Sequence, residues 1–139
     1  KNGPPPEVNL FNEKNNGETI LQLIKNNYIK SAHDVSLGGI IIAVSKMCIQ
    51  GNKGFEFNKT NFLKSEIEYL FSEDQGRYIL EINPKDLKKV TDILEKNSVH
   101  FDKLGKIVDK YMIINQTTKV TIDELKTYNT NWLNKYMSS

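Results

Sequence analysis

The sequence predicts a layered domain of the mixed α/β (or α+β) class. Three observations carry that reading. Apolar residues recur at helical spacing in several windows, most cleanly at Ile40, Ile41, Val44, Met47 and Cys48. Elsewhere they alternate with a period of two, as at Tyr78, Leu80 and Ile82. From Gly76 onward strand and helix patterns follow one another, an order that stacks helices on a sheet.

The elements follow in order. Lys1 to Pro6 is a proline-rich, polyproline-like stretch of the kind that connects domains, and residues 1–11 are read as a linker or extended segment ahead of one domain, 12–139. Glu7 to Leu10 is extended. Asn12 to Asn27 is a helix with Ile20, Leu21, Leu23 and Ile24 as its stripe, weakened in its first half by Gly17. Tyr28 to Lys30 crosses to a loop around His33. Ser36 is the expected N-cap of the next helix, Ile42 and Ile49 widen its buried face, and Gly51 ends it. Gly54 to Phe57 alternates as a short strand.

Thr60 is the expected cap of a helix running through Phe71, with Phe62, Leu63, Ile67, Leu70 and Phe71 apolar. Gly76 to Ile82 is a strand with Ile79 on its second face. Asn83-Pro84 opens a helix as cap and first-turn proline. Leu87, Val90, Ile93 and Leu94 form its stripe, and it stops near Asn97. Val99 to Val108 reads as a strand interrupted or bulged near Gly105, and Tyr111 to Ile114 as another. Asn115 to Thr118 is a turn and Lys119 to Ile122 a last strand. Asp123 caps a final helix in which Leu125, Tyr128, Trp132 and Tyr136 recur at helical spacing. Core packing is expected of that aromatic stripe, because a base-stacking platform needs basic residues beside it.

The 139 residues are enough for one core. Nineteen Lys and Arg against 17 Asp and Glu leave a net charge of +2, with the lysines scattered among the acids. That argues against a dedicated nucleic-acid binder, which carries a clustered basic face. No run approaches the roughly 18 apolar residues of a membrane span. The single cysteine, Cys48, has no partner for an intramolecular disulfide and is expected to be a small buried hydrophobe. A cytoplasmic setting is expected, and the absence of an initial Met suggests a domain cut from something longer.

Two polar segments carry the functional signal. The first is Ser31-Ala-His-Asp-Val-Ser-Leu-Gly-Gly39, running straight into the Ile40 helix. Glycine costs a helix about 1 kcal/mol relative to alanine, so two at a helix start need a reason. One reason is an anion seat, with Ser36, Gly38 and Gly39 offering unpaired N–H donors at a positive dipole end. The other is packing too tight for a Cβ. The spacing is neither a Walker loop nor a dinucleotide fingerprint. His33 and Asp34 suggest a base with an orienting carboxylate. Neighbours along a chain point apart, however, so local bonding by His33 and a structural role for Asp34 are the competing reading.

The second segment is Phe71-Ser-Glu-Asp-Gln-Gly-Arg77, between a helix end and a strand start. Ser72, Glu73, Asp74, Gln75 and Arg77 are either a rigidly held set for a sugar, an amide or a divalent ion, or an ordinary polar turn with Arg77 in a salt bridge. His100 stands alone, with no Cys or His at zinc-ligand spacing.

In this order and separation, the two segments resemble the C-terminal half-domain of the aminoimidazole ribonucleotide synthetase-related superfamily, and within it the phosphoribosylformylglycinamidine synthase family (large or ATP-binding subunit). His33-Asp-Val-Ser-Leu-Gly-Gly39 is similar to that family's His-Asp-Val-Ser-Asp-Gly-Gly. Phe71-Ser-Glu-Asp-Gln-Gly-Arg77 is similar to its Phe-Ser-Glu-Ser-Gln-Gly-Arg, and Leu104-Gly-Lys-Ile-Val108 to its late Ile-Gly-Glu-Val. Leu37 stands where the family usually has Asp, and Asp74 where it usually has Ser.

The resemblance implies a three-layer α/β/α sandwich with a mixed sheet, partly ferredoxin-like. It implies a parent ligase of purine biosynthesis that converts formylglycinamide ribonucleotide, ATP and glutamine-derived ammonia to formylglycinamidine ribonucleotide. ATP and Mg would be cofactors of the parent, with none assigned to this part. The partners would be upstream domains of the same polypeptide and a glutaminase subunit or domain, with no nucleic acid and no membrane. No catalytic or metal-binding residue is carried over. His33, Asp34, Ser36, Gly38, Gly39, Ser72, Glu73, Asp74, Gln75 and Arg77 are expected to line an auxiliary nucleotide site or a domain interface. Two alternatives stay open: a half-domain of a sister enzyme (aminoimidazole ribonucleotide synthetase or selenophosphate synthetase), or a non-catalytic interaction module.

Overall fold

The computed structural model describes residues 8–58, 65–115 and 118–138. The proline-rich start, the Thr60 cap with Phe62 and Leu63, and the middle of the 115–118 turn lie outside them. The chain divides into two compact units, Lys1–Ala43 with Phe71–Asp102, and Val44–Leu70 with Lys103–Ser139.

In the first unit, α1 spans Leu10–Lys25, starting two residues earlier than its sequence pattern. Asn9 is its cap, the side-chain oxygen accepting the Asn12 N–H at 3.0 Å. Its buried residues are Thr19, Ile20 and Leu23, while Leu21 and Ile24 are exposed. At 3.6 residues per turn, Ile24 and Leu21 lie about 100° and 160° round the axis from Leu23. The buried face is therefore rotated from the stripe the sequence suggested.

Strand β1 (Ile29–Asp34) pairs antiparallel with β3 (Tyr78–Ile82). Ala32 stands opposite Leu80, His33 opposite Ile79 and Asp34 opposite Tyr78, with a register irregularity between Ile29 and Ser31. The sequence suggested a crossing and a loop for β1. Lys30, Ser31, His33 and Asp34 put polar groups on both of its faces, so no clean alternation marks it, and its partner defines it. Asn83 and Pro84 open a short 3-10 turn, Pro84–Asp86, with the Asn83 side chain accepting the Lys85 N–H, before α4 (Leu87–Lys96). Leu23, Val90, Leu94 and Val99 form the core of this unit, with Ile29, Leu80 and Ile82 packed against it.

Helix α2 (Gly39–Gly51) contains the boundary between the units. Ile40, Ile41, Val44 and Cys48 are buried as the pattern requires, with Ala43 beside them, whereas Ile42 is exposed and Met47 and Ile49 are only half-buried, so the buried face is narrower than the sequence suggested. Burial pushes the Cys48 thiol up to about 11, so it stays protonated and unreactive at neutral pH.

The second unit holds a four-stranded mixed sheet in the order β4-β2-β5-β6. β2 (Gly54–Phe57) runs parallel to β5 (Tyr111–Ile113), while β4 (Gly105–Val108) and β6 (Lys119–Thr121) pair antiparallel to their neighbours. The strand predicted from Val99 exists only from Gly105. A Cβ there would fall 2.1 Å from the Glu56 carbonyl oxygen, so glycine lets β4 lie flush on β2. α3 is described from Glu66 to Phe71.

α5 (Ile122–Met137) is capped by Thr121, not by Asp123. The Thr121 hydroxyl accepts the Glu124 N–H at 3.1 Å and the Glu124 carboxylate accepts the Thr121 N–H at 2.9 Å, a reciprocal capping box. The Thr121 backbone and side-chain hydrogen bonds lower the Glu124 pKa from its ordinary carboxylate range. The aromatic stripe departs from the expected core packing. Tyr128, Trp132 and Tyr136 are 75%, 60% and 72% exposed.

Candidate functional site

Both polar segments lie at one end of the β1–β3 pair, in the first unit. The Val35 N–H donates to the Arg77 carbonyl at 2.8 Å and carries the ladder past the strand ends. A cleft of about 190 Å³ opens there, lined by Glu13, Asp34, Val35, Ser36, Gln75, Gly76, Arg77 and Tyr78. The fold thus brings Asp34, Ser36, Gln75 and Arg77 to one cleft. His33, Gly38, Gly39, Ser72, Glu73 and Asp74 are not among its lining residues.

Helix α2 begins at Gly39, so Gly38, rather than the expected Ser36, holds the cap position. Ser36 contributes its carbonyl, which accepts the Gly39 N–H at 3.0 Å. Gly38 has φ +85°, and a Cβ on it would fall 2.4 Å from Cγ1 of Ile42. Conformation and space both demand glycine. The Gly38 N–H donates to Glu73 Oε1 at 2.7 Å. A carboxylate of the chain itself thus stands at the helix start, where a positive dipole end favours negative charge.

The turn that supplies Glu73 is tied internally. Arg77 Nη1 donates to Ser72 Oγ at 2.8 Å and to Asp74 Oδ2 at 3.1 Å, and Ser72 Oγ donates to Asp74 Oδ2 at 2.8 Å. The guanidinium bridges hydroxyl and carboxylate and fixes the turn's shape. Asn16 Nδ2 donates to the Gly76 carbonyl at 3.1 Å, anchoring the turn to α1. Asn16 and Glu13 escaped the sequence reading. Both are helical polar residues, and nothing local distinguishes them from solvated neighbours.

His33 bonds locally. Its Nδ1 lies 2.6 Å from the Asp34 carbonyl oxygen and 3.4 Å from that residue's carboxylate. A carbonyl only accepts, so Nδ1 is the donor in this contact. His100, 91% exposed, stands 3.5 Å from Asp102. Among the described residues no three His, Cys, Asp or Glu side chains come together to hold a metal ion. With Asp74 against Arg77 and Glu73 on Gly38, the acidic pair does not fit a magnesium site. The cleft is also small beside the roughly 300–1,000 Å³ of a drug-sized ligand site.

An open mixed α/β fold with a glycine-opened helix facing a Ser-Glu-Asp-Gln-Gly-Arg turn defines a synthetase-related module. The chain belongs to the family described as AIR synthase related protein, C-terminal domain, which matches residues 1–114. It is 63% identical over all 139 of its residues to phosphoribosylformylglycinamidine synthase subunit PurL of Pelagibacter ubique, matching 19% of that protein. The chain thus spans about one fifth of the length of that curated relative. Among solved structures it is similar to Thermotoga maritima PurL complexed with FGAR, with TM-score 0.75 and 20% identity over 85% of this chain and 21% of that one. It is likewise similar to the same protein complexed with ATP, with TM-score 0.71 and 20% identity over 81% and 21%. At that identity the structural likeness shows the fold, which agrees with the predicted α/β class.

Proposed function

We propose that this chain is the C-terminal domain of a PurL-type phosphoribosylformylglycinamidine synthase, and that it supports the parent's chemistry without performing it. The parent would join ammonia, delivered from glutamine by a glutaminase partner, to formylglycinamide ribonucleotide with ATP as the activating reagent. The 63% identity to a PurL subunit supports that parent over a sister synthetase. The ATP complex of the Thermotoga relative supports ATP as the parent's nucleotide. The match to residues 1–114 takes in parts of both compact units, which supports reading those parts as one working domain.

The observation that carries the supporting role is the bond from Gly38 to Glu73. An incoming phosphate would have to displace that carboxylate from the helix start, against like charge. Ser72 and Asp74 are engaged by Arg77, so the segment is built as a strut. His33, Asp34, Ser36, Gly38, Gly39, Ser72, Glu73, Asp74, Gln75 and Arg77 would then line a domain interface or a closed auxiliary site, and the cytoplasm would be its setting.

The test is ammonia- and ATP-dependent synthesis of formylglycinamidine ribonucleotide by the full parent chain and by a version ending before Pro4. Activity in the full chain, lost on truncation, is the expected result. Soluble, folded, inactive proteins in both cases would overturn the reading in favour of a sister synthetase.

A further inference from the structure

The outer part of α5 presents a row of exposed aromatic side chains. Every described residue from Thr127 to Ser138 is exposed. Tyr128, Trp132 and Tyr136 recur every four residues, and Leu133 and Met137, 49% and 76% exposed, flank them. On a helix such spacing makes one continuous stripe. The run Thr127-Tyr-Asn-Thr-Asn-Trp-Leu-Asn134 contains no charged residue. Charge depletion with Trp and Tyr at the centre is the composition of an interface core, and those two residue types dominate binding hot spots.

We propose that this face docks on another domain of the same polypeptide. The proposal rests on the reading of the chain as one part of a longer PurL-type protein. Two observations favour that occupant. The family match ends at residue 114, so α5 lies wholly beyond the module that the synthetase-related proteins share. The alignment to Pelagibacter PurL runs through all 139 residues and leaves about four fifths of that protein outside the matched part. The helix is therefore an addition found in a protein that carries much further surface on the same chain. A tethered partner also binds at high effective concentration, so a stripe of this size suffices without the area of a free complex.

Other occupants fit the chemistry less well. A nucleic acid or an anionic membrane surface needs basic residues along the helix. Lys126 and Lys135 are the two on α5, and the Lys126 ammonium donates to Asn52 Oδ1 at 2.6 Å.

The experiment is amide hydrogen exchange of residues 127–137 in the full-length parent, at two protein concentrations, with Trp132→Glu and Asn134→Lys variants. Asn134 lies on the opposite side of the helix from the stripe, so Asn134→Lys changes charge without touching the stripe. The expected result is a protected segment in the wild type and in Asn134→Lys at both concentrations, with protection falling by about tenfold or more in Trp132→Glu. Peptides from α4 serve as the reference and keep their rates, which separates loss of docking from loss of folding. Rapid exchange in the wild type, or no response to Trp132→Glu, would overturn the proposal. Protection that disappears on dilution would assign the face to a second copy, and protection that requires an added glutaminase chain would assign it to that subunit. Either would also overturn it. None of these readings depends on turnover, so an inactive parent with a protected α5 would refute the proposed function and leave the docking intact.

Discussion

The Phe71–Arg77 turn and helix α5 treat their side chains in opposite ways. In the turn, Glu73 bonds the Gly38 N–H, while Ser72 and Asp74 are bridged by Arg77. In α5, the stripe that reads as core in the sequence is 60% exposed or more at Tyr128, Trp132 and Tyr136. The residue types that look chemical are engaged by the fold, and those that look structural face outward. Helical periodicity identifies a face that needs cover and says nothing about which surface supplies it. A polar cluster, likewise, can satisfy its own donors and acceptors, and its residue types alone do not reveal whether it does.

The sharpest test of that contrast is to delete comparable apolar bulk in each region. Leu23 is fully buried in the cluster with Val90, Leu94 and Val99. Leu23→Ala removes buried methyl groups and leaves a cavity, for a loss of about 3 kcal/mol. Denaturant unfolding of the 139-residue chain reads it as a lowered midpoint. A loss below about 1 kcal/mol would mean that this cluster is not the core that holds the first unit together.

The next effect tests the polar turn. Gly38→Ala forces a side chain onto φ +85° and within 2.4 Å of Ile42 Cγ1. A loss of about 2 kcal/mol is expected from strain and displacement together. Glu73→Gln keeps the hydrogen-bond acceptor and removes the charge, so it should perturb the same helix far less than Gly38→Ala. If phosphate stabilises Glu73→Gln and not the wild type in a thermal melt, the native carboxylate is what closes the helix start to anions. Equal stabilisation of both would show that Glu73 does not block that position.

On α5 the cap is the local source of stability. Thr121→Ala removes one half of the capping box and should cost about 1 kcal/mol. The same box lowers the Glu124 pKa. Its folded value lies below the unfolded one, so the contribution is complete above the ordinary carboxylate range. It is lost as pH falls through the lowered value. Helicity followed from neutral pH downward should show that loss in the wild type and not in Glu124→Gln, which has no carboxylate to protonate. Superimposable profiles would rule out the box as the cause.

Much of the fold was legible in the sequence because a few segments carry one dominant period. Val90 and Leu94 on α4, the alternation of β3 and the Asn83-Pro84 start lie where patterning puts them. β1 was not legible, since its polar residues occupy both faces and pairing with β3 creates it. The cap of α5 was misread by two residues because Thr121 and Asp123 are both good caps, and only Glu124 at the third helical position separates them. The two polar segments were visible as motifs, and the fold brings four of their candidate site residues, Asp34, Ser36, Gln75 and Arg77, to one cleft. The bond between Glu73 and Gly38 spans 35 residues, and no local rule foretells it.

The smallest expected effect sharpens the comparison most. Trp132→Ala removes the largest side chain on α5, yet at 60% exposure it leaves no enclosed cavity. In the 139-residue chain the change should stay within about 0.5 kcal/mol, the range of surface substitutions. The contrast with Leu23→Ala would then be several-fold in free energy for the loss of a larger side chain. In the full-length parent the same substitution should lower the melting temperature measurably, because there the indole would be covered. A loss in the short chain as large as that of Leu23→Ala would mean that α5 packs on its own unit after all, and the contrast between the two regions would collapse.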